Sequence, residues 1–227
     1  MFGSRLEVRR FEESVLQYEA QPVVQGKILL YGHSLFTRCS SITTCVDNPR
    51  IEEELRMKDG SQAIVNHGFG TSSADDLLYY YSRLVRPYQP RALVLATAAN
   101  DFGMGYTPAE VMDTEARLID WFKADFPGAP VYCMNYIPTL THKGMVDLYT
   151  HARTEYNRLL KNYCKRAGCI YVPLEQMPFF YRDPADAGDY DKVRSDVFVG
   201  DRVHLNSAGY RYFIECLREL FGEGGLL

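Results

Sequence analysis

Five short apolar runs are spaced along the chain, and each is followed by a longer segment of mixed character. The runs are rich in Val, Ile, Leu, Ala and Tyr, and the first two end at a histidine. Continuous apolar runs of this length are typical of strands that are buried on both faces of a sheet. We predict strands over 27–33, 62–67, 91–98, 130–137 and 169–173.

The longer segments repeat apolar residues at helical spacing, and some begin with residues that favour helix N-termini. Thr107 is an N-cap residue followed by Pro108 at the first helical position, and Ser207 is a candidate N-cap of the last helix. We predict helices over 72–85, 107–126, 146–167 and 207–221. Strands that alternate with helices of this length indicate βαβ units, and therefore an α/β fold whose parallel sheet is covered on both faces.

The composition indicates a soluble globular protein. Of the 227 residues, 46% are hydrophobic and 24% are charged, which is an ordinary balance for one domain. The net charge of -4 gives no reason to expect nucleic acid or an anionic membrane surface as a partner. No apolar run approaches the roughly 20 residues that a membrane-spanning helix needs. The sequence leaves a homo-oligomer open.

The cysteines and the N-terminus bear on the cellular location. The six cysteines show no CxxC spacing, so we expect reduced thiols and a cytoplasmic protein. In a secreted protein, a Cys39–Cys45 or a Cys164–Cys169 disulfide could form. Residues 1–26 are too charged for a signal peptide, so export would require a leader that has been trimmed.

Several of the predicted strands are directly followed by polar or loop-forming residues. They are Ser34, the loop 68–71, Asn100 with Asp101, and Pro138. Binding and catalytic sites of open parallel sheets form at the carboxyl ends of the strands. We therefore expect these residues to meet at one rim of the sheet.

Three residues have the side chains of a serine hydrolase. Asp201 lies three residues before His204, a spacing that lets the carboxylate fix the imidazole tautomer and free the other nitrogen as a general base. The same spacing also occurs in surface turns. Ser34 is a candidate nucleophile, although Phe36 departs from the Gly-x-Ser-x-Gly pattern of α/β-hydrolases.

An acyl-transfer site also needs hydrogen-bond donors for the oxyanion of its tetrahedral intermediate. The glycine-containing loop that begins at Asn66 follows a strand and precedes a helix, so its backbone N–H groups can point into the site. Asn100 can add a side-chain amide from the end of the third strand. The order of these pieces along the chain, at successive strand ends, favours one site.

Four blocks of the sequence together resemble the SGNH hydrolases, also called the GDSL esterase/lipase family. The blocks are GHSL at 32–35, NHGFGTS at 66–72, AAND at 98–101 and DRVHLN at 201–206. The resemblance implies a flavodoxin-like three-layer α/β/α sandwich with a five-stranded parallel sheet. It also implies a single domain over 1–227, with residues 1–26 as an extension that packs on or beside it.

The resemblance implies roles for individual residues, with no metal and no cofactor. Ser34 would be the nucleophile and would donate its backbone N–H to the oxyanion. His204 would be the general base, which Asp201 orients, and Asn100 would be the side-chain donor. Thr71 falls where the family usually has the glycine whose N–H is a third donor; Gly70 takes this place if the register is shifted by one residue.

Two further positions depart from the family pattern. His33 replaces the usual aspartate before the serine, and we expect it to support the site without taking part in proton transfer. Ala98 replaces a common glycine, which we expect to alter only the packing. Thr71 can serve as a donor only if it adopts the positive φ that glycine tolerates.

The family resemblance leads to one main hypothesis and two alternatives. The main hypothesis is a serine esterase acting on small O-acyl esters, with carbohydrate O-acetyl groups as one candidate substrate. The alternatives are an acyltransferase that uses the same residues and a catalytically weak binding module on the same fold. The acidic loop 183–191 lacks the spacing of a calcium-binding loop, and His67 fits a structural hydrogen bond as well as a substrate contact.

Overall fold

Five parallel strands form the centre of the molecule. The computed structural model describes residues 7, 9–42, 47–140 and 148–227, with side chains of the last segment described from residue 151. The strands are β1 (Ile28–Gly32), β2 (Ile64–Gly68), β3 (Ala92–Ala96), β4 (Val131–Met134) and β5 (Ile170–Val172). All five predicted strands are confirmed, and none extends more than one residue beyond its predicted range.

The sheet has the order β2-β1-β3-β4-β5, and every pair of neighbouring strands is parallel. Gly32 at the end of β1 is level with Gly68 of β2 and Ala96 of β3. The three chain segments that follow these residues therefore leave the sheet side by side, as the strand-end rule requires. This confirms the predicted five-stranded parallel sheet.

Helices connect and flank the strands. They are α1 (Glu12–Glu19), α2 (Ser34–Thr37), α3 (Ile51–Glu54), α4 (Ala74–Leu84), α5 (Pro108–Asp125), α6 (Leu148–Ala167) and α7 (Ser207–Glu223). Helices α4 to α7 correspond to the four predicted helices and confirm them, whereas α1, α2 and α3 were not predicted. Among the helices that the structure describes, none combines the length and the apolar character needed to cross a membrane.

The helix starts follow the rules of N-capping, with one correction. The Thr107 hydroxyl accepts the Glu110 N–H and the Glu110 carboxylate accepts the Thr107 N–H, so α5 begins with a full capping box. The prediction that Ser207 caps α7 is wrong. Asn206 has the extended backbone of an N-cap, and its side-chain oxygen accepts the Gly209 N–H at 2.9 Å. Ser207 is instead the first helical residue.

Alternate residues of each strand face two separate cores. In β1, Ile28 and Leu30 point to the core beneath α2, α3 and α7, whereas Leu29 and Tyr31 point to the core beneath α1, α4, α5 and α6. All four side chains are fully buried. The result is the three-layer α/β/α sandwich, with helices on both faces of the sheet.

Helix α2 lies unusually close to the end of β2. A Cβ atom added to Gly68 would stand 2.6 Å from the Phe36 Cβ and 2.7 Å from the Thr37 backbone nitrogen. Both distances are too short for nonbonded atoms, so only glycine fits unless α2 moves. The neighbouring Gly70 is different, because an added Cβ there would meet no atom within 4 Å.

Gly68→Ala is expected to lower the free energy of unfolding by about 1–3 kcal/mol, because overpacking displaces α2 or the end of β2. Gly70→Ala is the matched control, and its effect is expected to stay within about 0.5 kcal/mol. Urea unfolding followed by circular dichroism measures both changes. Equal stability of the two variants would show that α2 can move away from β2 at no cost.

Candidate active site

Ser34 begins a short helix directly after β1. His33 has an extended backbone, with φ -88° and ψ -158°, and its Nδ1 accepts the Leu35 N–H at 3.2 Å. His33 is therefore the N-cap of α2, and Ser34 is the first residue of the helix. The chain reaches this point through Gly32, where an added Cβ would stand 2.5 Å from the Ala96 carbonyl oxygen. The end of β1 therefore packs closely against β3 directly before the serine.

The structure brings the three predicted catalytic residues together: Ser34 from the N-terminal part of the chain, and Asp201 and His204 from the C-terminal part. The Ser34 Oγ lies 3.1 Å from Nε2 of His204, which is 170 residues away in sequence. The His204 Nδ1 lies 2.7 Å from the Asp201 Oδ2. A carboxylate at Nδ1 holds the proton on that nitrogen, so Nε2 is left free to accept a proton from the serine.

Asp201 is held in a tight turn by the backbone that follows it. Its Oδ1 accepts the Val203 and His204 N–H groups, each at 2.9 Å. Partial burial alone would raise the pKa of Asp201. The hydrogen bonds from the His204 amide, the His204 ring and the Val203 amide outweigh that effect and lower the pKa to about 2. The carboxylate is therefore ionised at neutral pH, with Oδ2 directed at the imidazole.

In the loop after β2, the predicted backbone donor Thr71 has a strained backbone conformation. Thr71 has a φ of 63°, in the left-handed region, whereas Gly70 does not. A β-branched residue in this region is an outlier, and left-handed backbone costs a non-glycine residue about 1–2 kcal/mol. Within the described residues, the Thr71 N–H has no hydrogen-bond acceptor.

Arg10 holds this loop from outside the sheet. Its Nη2 donates to the Thr71 carbonyl oxygen at 2.9 Å, and the same atom lies 2.5 Å from Oδ2 of the buried Asp76. The neighbouring Phe11 ring packs on the Phe69 ring with centroids 5.2 Å apart. Arg10 was not predicted as part of the site, because nothing local in the sequence connects it with a loop 61 residues away.

Asn100 lies across the same opening, after β3. Its Nδ2 donates to the Ser72 carbonyl oxygen at 2.9 Å, which fixes the amide against the loop of Thr71. The next residue, Asp101, accepts the Ala74 N–H at 2.9 Å and is buried, and burial raises the pKa of its carboxyl group to about 7. Ala98 has a φ of 69°, so its replacement of glycine changes the backbone strain as well as the packing.

A pocket of about 370 Å³ joins these groups. Ser34, Gly70, Thr71, Asn100 and His204 all line it. Its apolar wall consists of Leu35, Tyr136, Ile137, Val203, Leu205 and Tyr210. Of the predicted rim residues, Pro138 is not part of the lining, and Asp101 lies buried behind Asn100.

His67 and the acidic loop 183–191, which were not assigned to the site from the sequence, are not part of the pocket lining. His67 is buried, and its Nδ1 is 2.7 Å from the Leu84 carbonyl oxygen, which is a structural contact. In the acidic loop, Asp183 and Asp189 accept backbone N–H groups and cap short turns. Within the part of the chain that is described, no group of three or more His, Cys, Asp or Glu side chains is arranged to hold a metal ion.

The described cysteines are free thiols. They are Cys39, Cys133, Cys164, Cys169 and Cys216. The Cys164–Cys169 disulfide considered for a secreted protein is therefore not formed in this structure. Cys45, the other partner considered for Cys39, lies outside the described residues.

Solved structures of low sequence identity share the fold. A GDSL-like lipase from Bacteroides thetaiotaomicron has a TM-score of 0.70 at 12% identity, over 96% of this chain and 100% of that one. The lipase/acylhydrolase from Enterococcus faecalis has a TM-score of 0.67 at 16% identity, over 87% and 95%. A mutant of an acetyl-xylooligosaccharide esterase from Geobacillus Stearmophilus has a TM-score of 0.62 at 14% identity, over 87% and 94%.

Sequence comparison assigns the family. No curated protein sequence matches the chain. The profile of the GDSL-like Lipase/Acylhydrolase family matches residues 31–212, a range that includes all four blocks from GHSL to DRVHLN. The chain therefore belongs to the GDSL-like lipase/acylhydrolase family.

Proposed function

We propose that the protein is a serine esterase that hydrolyses small O-acyl esters through an acyl-serine intermediate. The observation that carries the proposal is the hydrogen-bonded chain from the Ser34 hydroxyl through His204 to Asp201, which opens into a pocket. The family assignment supports acyl hydrolysis as the reaction class.

In the acylation step, Ser34 attacks the ester carbonyl carbon while its hydroxyl proton moves to Nε2 of His204. The distance of 3.1 Å between Oγ and Nε2 is within reach of this transfer. The imidazolium that forms is stabilised by the ionised Asp201 at Nδ1. His204 then gives the proton to the departing alkoxide, and the acyl group remains on Ser34.

In the deacylation step, water takes the place of the serine hydroxyl. His204 accepts a proton from the water, whose oxygen attacks the acyl carbon. The tetrahedral intermediate collapses, and the proton returns to the Ser34 oxygen as the free acid leaves. The same base and the same oxyanion donors therefore serve both half-reactions.

Three N–H donors are available to the oxyanion. We assign them to the backbone amides of Ser34 and Thr71 and to Nδ2 of Asn100. One hydrogen of that Nδ2 is used by the Ser72 carbonyl oxygen, which leaves the second free to donate. The positive φ of Thr71 favours the register with Thr71, rather than Gly70, as the backbone donor. Removal of one such donor typically costs about 3 kcal/mol of transition-state stabilisation.

The pocket volume supports small acyl groups as substrates. About 370 Å³ is near the lower end of small-molecule sites, which span roughly 300–1,000 Å³. An acetyl-xylooligosaccharide esterase is among the proteins with this fold, which keeps carbohydrate O-acetyl esters as one candidate class.

Acyl transfer to a sugar or alcohol would use the same residues, and product analysis with added acceptors distinguishes it from hydrolysis. The binding-module alternative was motivated by Thr71 and Ala98, which stand where the family commonly has glycine. Their glycine-like φ values of 63° and 69° support the esterase over this alternative.

Ser34→Ala and His204→Ala are each expected to lower kcat/KM for 4-nitrophenyl acetate by at least about a thousandfold, because each removes a member of the proton-transfer pair. His33→Asn keeps a side-chain acceptor at the N-cap, so we expect a loss below about tenfold. Initial rates of the purified variants measure these effects. Full activity of Ser34→Ala, or equal losses in His33→Asn and His204→Ala, would contradict the assignment.

Thr71→Gly is expected to raise the free energy of unfolding by about 0.5–1 kcal/mol. Glycine removes about 1–2 kcal/mol of left-handed strain but gains about 0.4–1 kcal/mol of entropy in the unfolded chain. The backbone N–H remains, so esterase activity should change by less than about threefold. Thr71→Ala is the control, because it removes the same side chain and keeps the strain. Equal urea midpoints for the two variants would show that the left-handed backbone of residue 71 is not strained.

A further inference from the structure

Arg38 is a charged residue of the pocket that the proposed hydrolysis does not use. It follows α2 directly, with helical backbone angles of φ -74° and ψ -9°, and stands four residues after Ser34. Side chains four apart in a helical segment lie on the same face. Arg38 accordingly lines the same pocket as Ser34.

The Arg38 guanidinium lacks an anionic partner in the described part of the chain. Its Nε is buried and makes no hydrogen bond there, and no carboxylate forms an ion pair with it. Two other half-buried arginines have carboxylate partners, Arg10 with Asp76 and Arg83 with Glu12, whereas Arg91 donates to the Leu226 carbonyl oxygen. Burial of part of a charge without a partner is unfavourable, so a cation left in this state is suited to binding an anion.

Among the described residues that line the pocket, none has a carboxylate that could neutralise Arg38. The other ionisable side chains among them are His33, Tyr136, His204 and Tyr210. Burial lowers the pKa of His33 to about 4, so this residue is neutral at neutral pH. The described lining therefore combines the permanent cation of Arg38 with the amide donors that we assign to the oxyanion, and it is a favourable place for negative charge.

Arg38, Ser34 and Tyr210 line one pocket. Burial raises the pKa of the Tyr210 hydroxyl well above its usual value, and the charges of Arg38 and Asp201 act on this pKa in opposite directions. The same hydroxyl donates to the Ser34 carbonyl oxygen at 3.4 Å. Arg38 thus lies within reach of a substituent on an ester bound at Ser34.

We propose that Arg38 binds an anionic group of the substrate, so that the pocket selects acyl esters that carry a carboxylate or a similar charge. The inference rests on the proposed esterase function and adds the substrate class. A carboxylate can accept two parallel N–H groups of a guanidinium, and a ligand in the pocket can reach the terminal nitrogens of Arg38, which unlike Nε are not buried.

The test compares each acid with its own methyl ester, which removes the charge and little else. One pair carries the charge on the acyl side: 4-nitrophenyl hydrogen glutarate and 4-nitrophenyl methyl glutarate. The other carries it on the alcohol side: 3-acetoxybenzoate and its methyl ester. At pH 7.5 both acids are ionised. We expect kcat/KM for at least one acid to exceed that of its methyl ester by about ten- to a hundredfold, the range of a charged hydrogen bond.

Arg38→Gln removes the charge and keeps a polar side chain of similar length. We expect the ratio of acid to methyl ester to fall at least about tenfold in this variant, while Arg38→Lys retains part of the preference. Arg117→Gln is the matched control. Arg117 is an exposed residue of α5 that pairs with Asp113, so the variant has the same net charge as Arg38→Gln without touching the pocket. Its ratio should equal that of the unaltered protein.

Binding separates this inference from the esterase assignment. Calorimetric titration of Ser34→Ala with the same four compounds measures affinity without turnover, and the preferred acid should bind at least about tenfold more tightly than its methyl ester. Ser34-dependent hydrolysis with ratios near one for both pairs would overturn the role of Arg38 and leave the esterase function intact. Absence of all turnover would refute the esterase function, and the titration would still decide whether Arg38 selects anions.

Discussion

The close contact between helix α2 and strand β2 fixes the position of Ser34. Asn66 joins the two elements, because its Nδ2 donates to the Phe36 carbonyl oxygen at 3.0 Å and its Oδ1 accepts the Gly68 N–H at 3.1 Å. With no side chain on Gly68, α2 rests directly on the end of the strand. Strands β1, β2 and β3 end at the same level, so this contact also sets the distance from Ser34 to the Thr71 loop.

The N-terminal segment supports the part of the site that the sheet alone leaves strained. Arg10 holds the carbonyl of the left-handed Thr71 and, through Asp76, the first turn of α4. Tyr18 of α1 donates its hydroxyl hydrogen to the Gly68 carbonyl oxygen. Strained backbone persists only where neighbouring contacts over-determine it, and here those contacts come from outside the βαβ units. The segment is therefore part of the architecture of the Thr71 loop, to which we assign an oxyanion donor.

The sequence predicted what depends on local pattern and failed where distant residues decide. Buried strands are continuous apolar runs, so the strands could be located in the sequence. The rule that sites form at the carboxyl ends of parallel strands then predicted that the polar residues meet at one rim. Helix α2 has four residues, which is too short to show periodicity. Asn206 and Ser207 are both good N-caps, so only the backbone angles choose between them. The family pattern pointed to a positive φ at Thr71, whereas the positive φ of Ala98 and the contact with Arg10 arise from tertiary packing, which no local pattern reveals.

The histidine that precedes Ser34 is compatible with the proposed chemistry because burial keeps it neutral. Burial first, and the nearby His204 second, lower the pKa of His33 to about 4. In the proposed reaction His204 becomes an imidazolium, and a second cation beside it would oppose that change. Neutral His33 instead accepts the Leu35 N–H, which is the capping role that an aspartate would fill at a helix start. The proton relay then needs only Asp201 as a charged partner, and His33 contributes by orienting the helix that carries the nucleophile.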